Sequence, residues 1–182
     1  MRVPPSLDTG RLTLRPHSLA DFDDSAAMWG DSRVVQHILG KPLTAEEVWT
    51  RLLRYAGSWS VLGIGYWVVR EKTTGLFVGE VGFSDLRRDI TPPLGKLPEA
   101  GWVLSSAAHG RGFATEAVLA TLNWADSQKD DEYFGSGRTV CIISPTNTAS
   151  LKVAEKCGYK ETSRGTYREQ DTVILERVRG GD

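Results

Sequence analysis

A glycine-containing turn is the segment of this sequence best suited to bind an anion. It reads His109-Gly-Arg-Gly-Phe-Ala114 and lies between a strand-like run over 99–105 and a run with helical spacing of apolar residues. Free N–H groups and the positive end of the helix dipole meet at such a turn. Gly110 and Gly112 permit positive φ and leave room beside the backbone, and Arg111 adds a cation. The pattern predicts a phosphate site, although an ordinary strand–helix connection has the same composition.

Two familiar phosphate motifs do not account for this turn. The Walker pattern G-x-x-x-x-G-K-[ST] does not occur in the sequence. The dinucleotide pattern G-x-G-x-x-G begins at Gly110, but Thr115 stands where its third glycine belongs. The turn is therefore predicted to be neither a P-loop nor a Rossmann turn.

Two carboxylates are candidates for proton transfer. Glu80 and Glu99 fall in adjacent predicted strands among apolar neighbours. Burial there is expected to raise the carboxyl pKa toward that of a general base. Each carboxylate could instead lie in water or pair with an arginine, so both interpretations stay open.

The elements that must position these residues follow from periodicity and turn signals. Strands and helices are predicted in the order β, α, α, β, β, β, α, β, α, β, β, with 85–98 as an exposed loop. This succession favours an α+β fold with helices packed on a mixed sheet. The predicted elements are 11–15, 19–29, 44–57, 66–71, 76–84, 99–105, 114–125, 139–143, 148–157, 159–166 and 172–178.

Composition limits the class of protein. The 182 residues, with 22 Lys and Arg against 23 Asp and Glu, predict one domain over 1–182 with no field for nucleic acid or an anionic bilayer. No apolar run approaches the roughly 20 residues of a membrane span, and the N-terminus has no apolar signal core, so a cytoplasmic protein is expected. The histidines lack metal-ligand spacing, which predicts no metal, and Cys141 and Cys157 are predicted to be buried thiols.

Several motifs together resemble the GNAT superfamily of acetyl-CoA-dependent N-acetyltransferases. The family's pyrophosphate loop, [Q/R]-x-x-G-x-[G/A], is matched by 109–114 except at His109. The run 110–117 and the segment Leu12-Thr-Leu-Arg-Pro16 resemble the subgroup of ribosomal-protein N-terminal acetyltransferases. A second signature, proline, Asn, two residues and Ser, then a helix ending in Gly-aromatic, is matched over 145–159. The resemblance covers most of 11–178.

The resemblance implies a mostly antiparallel mixed sheet with a splay between the fourth and fifth predicted strands, 99–105 and 139–143. Pantetheine would lie in that gap against exposed strand backbone, and the pyrophosphate would bind backbone N–H groups of the turn. Asn147 would contact the pantetheine arm, or it could cap the next helix. The implied cofactor-binding residues are Val103, Leu104, Ser105, His109, Gly110, Arg111, Gly112, Phe113, Ala114, Thr115 and Asn147.

The implied reaction is direct attack of an amine on the acetyl thioester, without a covalent enzyme intermediate. Glu80 or Glu99 would accept the amine proton, and Ser150 or Tyr159 would protonate the departing thiolate. The rival class is a non-catalytic acyl-CoA-binding module on the same fold.

The acceptor is the least determined part of the sequence-based hypothesis. The subgroup points to a protein or peptide N-terminal amine as the acceptor, ahead of polyamines, amino acids and drugs. Whether the protein forms a homodimer is left open by the sequence. Residues 19–57 carry six acids against four bases, which predicts a slightly acidic acceptor rim. Trp29, Trp49, Tyr55 and Trp59 could wall the acceptor pocket or belong to the core.

Overall fold

One twisted sheet with helices on both faces makes up the described part of the chain. The computed structural model describes residues 4–180. Within them the strands follow the spatial order β1-β2-β3-β4-β6-β7-β9-β8-β5. The strands are β1 Leu7–Asp8, β2 Leu12–Pro16, β3 Tyr66–Glu71, β4 Phe77–Ser84, β5 Ile90–Thr91, β6 Glu99–Leu104, β7 Arg138–Ile143, β8 Lys160–Tyr167 and β9 Gln170–Val178. The helices are α1 Phe22–Trp29, α2 Ser32–Val35, α3 Ala45–Leu62, α4 Phe113–Ser127 and α5 Thr148–Lys156.

All eleven predicted elements are present, with shifted ends. The largest shift is in α3, which passes through Gly57 and ends at Gly63, where the backbone adopts a left-handed φ of 72°. The helix continues because Trp59 keeps the apolar spacing and is buried. Gly63 ends it because only glycine adopts that conformation without strain.

The prediction of an exposed loop over 85–98 is wrong at one point. Ile90 and Thr91 form β5, which pairs antiparallel with β8. Ile90 is buried against Val140 and Ile174. A strand of two residues is too short to show an alternation of apolar and polar residues, so the sequence carried no signal for it. The short elements β1 and α2 were missed for the same reason.

The sheet is mixed and mostly antiparallel, as predicted, and it opens between β6 and β7. These two strands run parallel and pair only at Glu99 and Val140. The Val140 N–H donates to Pro98 O at 3.1 Å, and beyond this point the strands separate. On its other side β6 pairs with β4 over its whole length. The splay implied by the family resemblance is therefore present, between the strands expected from that resemblance.

The core divides into clusters on the two faces of the sheet. Trp67 and Val69 of β3 pack in the cluster that includes α4 and α5, whereas Val68 packs in the cluster with α1 and α2. This is the alternation expected for a strand covered on both faces. None of the helices within residues 4–180 has the length and apolar character needed to cross a membrane.

Candidate functional site

A cleft of about 280 Å³ opens where β6 and β7 separate. Its floor comes from β6 and β7, and its walls come from α3, the start of α5, and the segments 84–88 and 167–172. Because the sheet is open here, backbone polar groups reach the cleft together with side chains. The volume is close to the lower end of the range for small-molecule sites, roughly 300 Å³.

The backbone of β6 presents alternate residues to the gap. The Ser105 N–H donates to Val78 O of β4 at 2.9 Å, and the Ser105 hydroxyl donates to Phe77 O. In an antiparallel pair, every second residue of β6 directs its backbone N–H and C=O groups to β4. The backbone groups of Trp102 and Leu104 therefore face the opposite way, toward β7. Of the three residues predicted to read an amide here, Leu104 thus faces the gap. Val103 and Ser105 direct their backbone groups to β4.

The glycine turn lies beyond the end of β6 and leads into α4. Gly110 and Gly112 have φ values of 75° and 77°, and no side chain caps the helix. The first turn bond is donated by Glu116 N–H to Gly112 O at 3.2 Å. Among residues 4–180, nothing accepts a hydrogen bond from the N–H groups of 110–115. The turn therefore offers an array of free donors at a helix N-terminus, which suits a phosphate or pyrophosphate.

The arginines near the turn are tied down by carboxylates. Arg111 forms an ion pair with Glu71, so its side chain is not the free cation that the sequence suggested. Arg11 pairs with Glu116 at 2.6 Å and donates to Arg111 O at 3.0 Å. The ring of Phe113 lies beneath both guanidinium groups, 4.6 Å from Arg11 and 4.4 Å from Arg111. These contacts fix the conformation of the turn and leave its backbone N–H groups as the available donors. The Nε2 atom of His109 lies 3.1 Å from Leu104 O, which links the turn to the end of β6.

Glu80 is buried beneath the cleft and does not line it. Its two oxygens accept from Ser25 Oγ at 2.7 Å and Trp29 Nε1 at 2.9 Å, and His17 Nε2 lies 3.4 Å away. Burial alone would raise the pKa of this carboxyl, but His17, Ser25 and Trp29 together hold the pKa below its usual value. The expectation of a raised pKa is wrong for Glu80, because the sequence did not show these partners.

Glu99 lines the cleft at the closed end of the gap. Arg88 donates to both of its oxygens, from Nε at 2.6 Å and from Nη2 at 2.7 Å. Ser84 is the residue of β4 paired with Glu99, and its buried hydroxyl, which also borders the cleft, lacks a hydrogen-bond partner in the described chain. Glu99 is therefore paired with an arginine, as one of the two interpretations expected, and it also lines the cleft.

Asn147 and Ser150 stand together at the start of α5, and both line the cleft. The side-chain oxygen of Asn147 accepts from Ser150 N–H at 3.1 Å, so Asn147 caps the helix. The competing acid, Tyr159, is buried in the core, where its hydroxyl lies 2.8 Å from Thr139 Oγ1. Burial raises the pKa of Tyr159 well above its usual value. Tyr159 does not reach the cleft.

The wall formed by α3 is cationic, so the prediction of an acidic rim is wrong. None of the six acids in 19–57 lines the cleft, whereas Arg51 and Arg54 do. They share one helix face with Tyr55 and Ser58, at spacings of three, four and seven residues. This spacing is visible in the sequence and could have identified the wall. The net charge of the whole segment did not reveal it, because that sum includes acidic residues that do not line the cleft.

The four aromatic residues predicted for the pocket or the core divide between these roles. Trp29 and Tyr55 line the cleft. Trp59 packs in the core against Trp67 and Trp124, and Trp49 lies half-exposed against Phe22. The acceptor end of the cleft is thus part aromatic and part cationic.

Comparison with known proteins gives a consistent family. The model for the acetyltransferase (GNAT) domain matches residues 11–160. A solved structure from Bordetella pertussis, assigned to the GnaT family of acetyltransferases, is 33% identical and has a TM-score of 0.81, with 96% of this chain and 99% of that chain covered. The protein YkkB of Bacillus subtilis is 30% identical over 104 residues, which are 56% of this chain. The match spans only 55% of YkkB.

A more distant structure shares the fold alone. Spermidine N-acetyltransferase from Vibrio cholerae, solved in complex with CoA and spermine, is 15% identical with a TM-score of 0.72. The alignment covers 94% of this chain and 97% of that chain.

Proposed function

The chain belongs to the GNAT family of acetyltransferases, and from this premise we propose that it transfers an acetyl group from acetyl-CoA to a primary amine. One observation carries the proposal. An array of free N–H groups at the start of α4 follows directly from β6, whose backbone is open to a cleft. Diphosphate would bind the N–H groups of 110–115, and the amides of the pantetheine arm would bind the backbone of Trp102 and Leu104.

The reaction forms a C–N bond and breaks the C–S bond of the thioester, while the amine loses a proton and the thiolate gains one. Acetyl-CoA supplies the acyl group. Among the candidate bases, Glu99 lines the cleft, so it is assigned as the proton acceptor, acting through water. Arg88 fixes its orientation. Glu80 is assigned a positioning role, because it holds the indole of Trp29 in the cleft wall.

Ser150 is assigned as the proton donor to the departing thiolate. Its hydroxyl has no partner within residues 4–180 and borders the cleft, whereas the Tyr159 hydroxyl is bonded in the core. The Ser150→Ala variant should lower kcat about tenfold or more with little change in acetyl-CoA affinity, because the Asn147 cap uses only the Ser150 backbone. Steady-state kinetics with calorimetric binding checks this. An unchanged kcat would move the acid role to solvent.

The proposed acceptor is the α-amine of a peptide or protein N-terminus. The cleft is bordered by the segments 84–88 and 167–172, which an extended chain in the cleft would contact. The Vibrio cholerae relative acts on a polyamine, which makes polyamines the second candidate. Arg51 and Arg54 in the wall disfavour a polycation, because like charges repel across a partly desolvated cleft.

The activity is tested by thiol release from acetyl-CoA with a panel of amines and peptides. Gly112→Val should abolish acetyl-CoA binding, because the branched side chain opposes the φ of 77° and crowds the donor array. Gly40→Val is the matched control, since Gly40 has a φ of 74° and no atom within 4 Å of an added Cβ. Unchanged affinity in a folded Gly112→Val variant would contradict this placement. Binding without turnover of any amine would favour the non-catalytic module.

A further inference from the structure

Two arginines in the cleft wall have no carboxylate partner. Arg51 and Arg54 of α3 line the cleft, and neither forms an ion pair within residues 4–180. Across the cleft, by contrast, Arg88 is bound by both oxygens of Glu99. The α3 wall therefore carries two positive charges that form no ion pair in the described chain.

Arg51 is held in a fixed position by two aromatic residues, Trp29 and Tyr55. Its guanidinium carbon lies 3.9 Å from the centre of the Trp29 ring, and its Nη1 atom lies 3.4 Å from Tyr55 Oη. The indole of Trp29 is itself fixed by Glu80. The Nε atom of Arg51 is buried and lacks a hydrogen-bond acceptor in the described chain. A buried donor without an acceptor is destabilising, and a bound anion would satisfy it.

Two of the nearby carboxylates, Glu47 and Asp85, are engaged elsewhere, and a third, Asp171, lines the cleft from the segment 167–172 without an ion pair to either arginine in the described chain. Glu47, one turn before Arg51 on α3, accepts from Thr44 N–H at 2.8 Å and lies 4.0 Å from Lys41. Asp85, on the opposite wall, lies 3.6 Å from Arg87 and accepts from Tyr133 Oη at 3.3 Å. Neither side chain forms an ion pair with the α3 arginines in the described chain.

We infer that the amine acceptor carries a carboxylate, which binds Arg51 and Arg54 while the amine lies at the gap between β6 and β7. This inference rests on the proposed function and specifies its substrate class. Two sources share the chemistry: the α-carboxylate of a free amino acid, and an acidic side chain near the N-terminus of a peptide. Arginine suits either one, because its planar fork binds carboxylate oxygens in pairs.

The first experiment compares acceptors that differ only in charge. The peptide pair is Glu-Ala-Ala amide and Gln-Ala-Ala amide, the amino-acid pair is alanine and alanine amide, and spermidine represents polycations. Wild-type kcat/KM should be about tenfold or more higher for the anionic member of one pair, and that pair identifies the source. Equal rates within both pairs, or a preference for spermidine, would overturn the inference.

Variants locate the charge preference. Arg51→Gln and Arg54→Gln should each reduce kcat/KM for the anionic acceptor about tenfold while changing the neutral acceptor less than about threefold. Arg164→Gln is the matched control, because Arg164 lies on β8, is 68% exposed and bonds only Glu161 in the described chain. Equal losses for the two acceptors in the α3 variants would contradict a carboxylate subsite.

A binding measurement separates this inference from the proposed function. Calorimetry with CoA present compares N-acetyl-Glu-Ala-Ala amide and N-acetyl-alanine with N-acetyl-Gln-Ala-Ala amide and N-acetyl-alanine amide. Either anionic compound should bind about tenfold tighter than its neutral partner in wild type and equally in Arg51→Gln. Absence of binding, or a preference that persists in Arg51→Gln, overturns the carboxylate subsite. Failure to turn over any amine would contradict the proposed function and leave this readout intact.

Discussion

At the scale of single residues, the carboxylates and arginines in and beneath the cleft are held in different ways. Glu80 and Glu99 each have bonded partners, whereas Arg51 rests on an aromatic face. A carboxylate fixed by several donors orients its neighbours, and Glu80 does this for Trp29, which is 51 positions away in the sequence. Replacing such a carboxylate is therefore expected to lower the free energy of unfolding more than it lowers the reaction rate.

The Glu80→Gln variant should be less stable than wild type by about 1–3 kcal/mol at pH 7. An amide nitrogen cannot accept from Ser25 or Trp29, so one buried donor loses its bond. Urea unfolding measures the difference. Glu155→Gln, an exposed position on α5, is the control and should change stability little.

The same variant gives a pH test. The folded-state pKa of Glu80 is lowered from 4.5 by its partners, against the opposing effect of burial. Such a carboxylate contributes its full stability above the unfolded pKa and loses it as the pH falls through the folded pKa. The difference between wild type and Glu80→Gln should thus shrink as the pH falls below about 4.5. A difference that grows over that acidic range would contradict the lowered pKa.

At the scale of elements, β6 is the strand that joins the donor array to the cleft, and it has little room around it. A Cβ added at Gly101 would lie 2.0 Å from Tyr66 Oη of β3. Burial, with the charge of Glu99 nearby, raises the pKa of Tyr66 to about 12, so its hydroxyl stays protonated at neutral pH. Both residues line the cleft.

Gly101→Ala should destabilise the protein by about 1–3 kcal/mol, because the methyl group overpacks against Tyr66. Tyr66→Phe in the same chain should restore part of the loss, since it removes the contacting oxygen. Thermal unfolding of the two single variants and the double variant measures this coupling. Gly57→Ala is the matched control, because an added Cβ there meets no atom within 4 Å, and it should be neutral or stabilising. Additive effects of the two substitutions would mean that the contact does not form.

At the scale of the whole molecule, both cysteine thiols are free and buried, as predicted. Cys141 is on β7, and Cys157 follows α5 against α4. Burial raises the pKa of Cys157 to about 11 and that of Cys141 further still. Their reactivity therefore reports on opening of the fold, because the thiolate is the reactive form.

Both thiols should react with Ellman's reagent at pH 8 at least about 100-fold more slowly in the native protein than in urea. The measurement is the absorbance of the released thiolate over a urea series, and its midpoint should coincide with the loss of tryptophan fluorescence. The Cys141→Ala variant assigns the faster thiol. Rapid stoichiometric labelling without urea would show that the sheet opens locally at one of the two sites.

The amino-acid sequence by itself determined the order of the main elements and the position of the glycine turn before α4. The alternation of apolar and polar residues over 11–15 and the helical spacing over 114–125 depend only on near neighbours, and the structure has a strand and a helix there as predicted. Gly110 and Gly112 are equally local, since positive φ is a property of the residue itself.

Only the tertiary structure decided which charges meet the cleft. Glu80 and Ser25 are 55 positions apart, and Glu71 and Arg111 are 40 apart, so no local pattern showed these partners. The two-residue strand β5 exists because β8 offers it an edge. The α3 wall is cationic because the helix is oriented with Arg51 and Arg54 toward the cleft, whereas none of the acidic residues in 19–57 lines it. The net charge of a segment includes every side chain in it, whereas a ligand in the cleft contacts only the side chains on the helix face that lines the cleft.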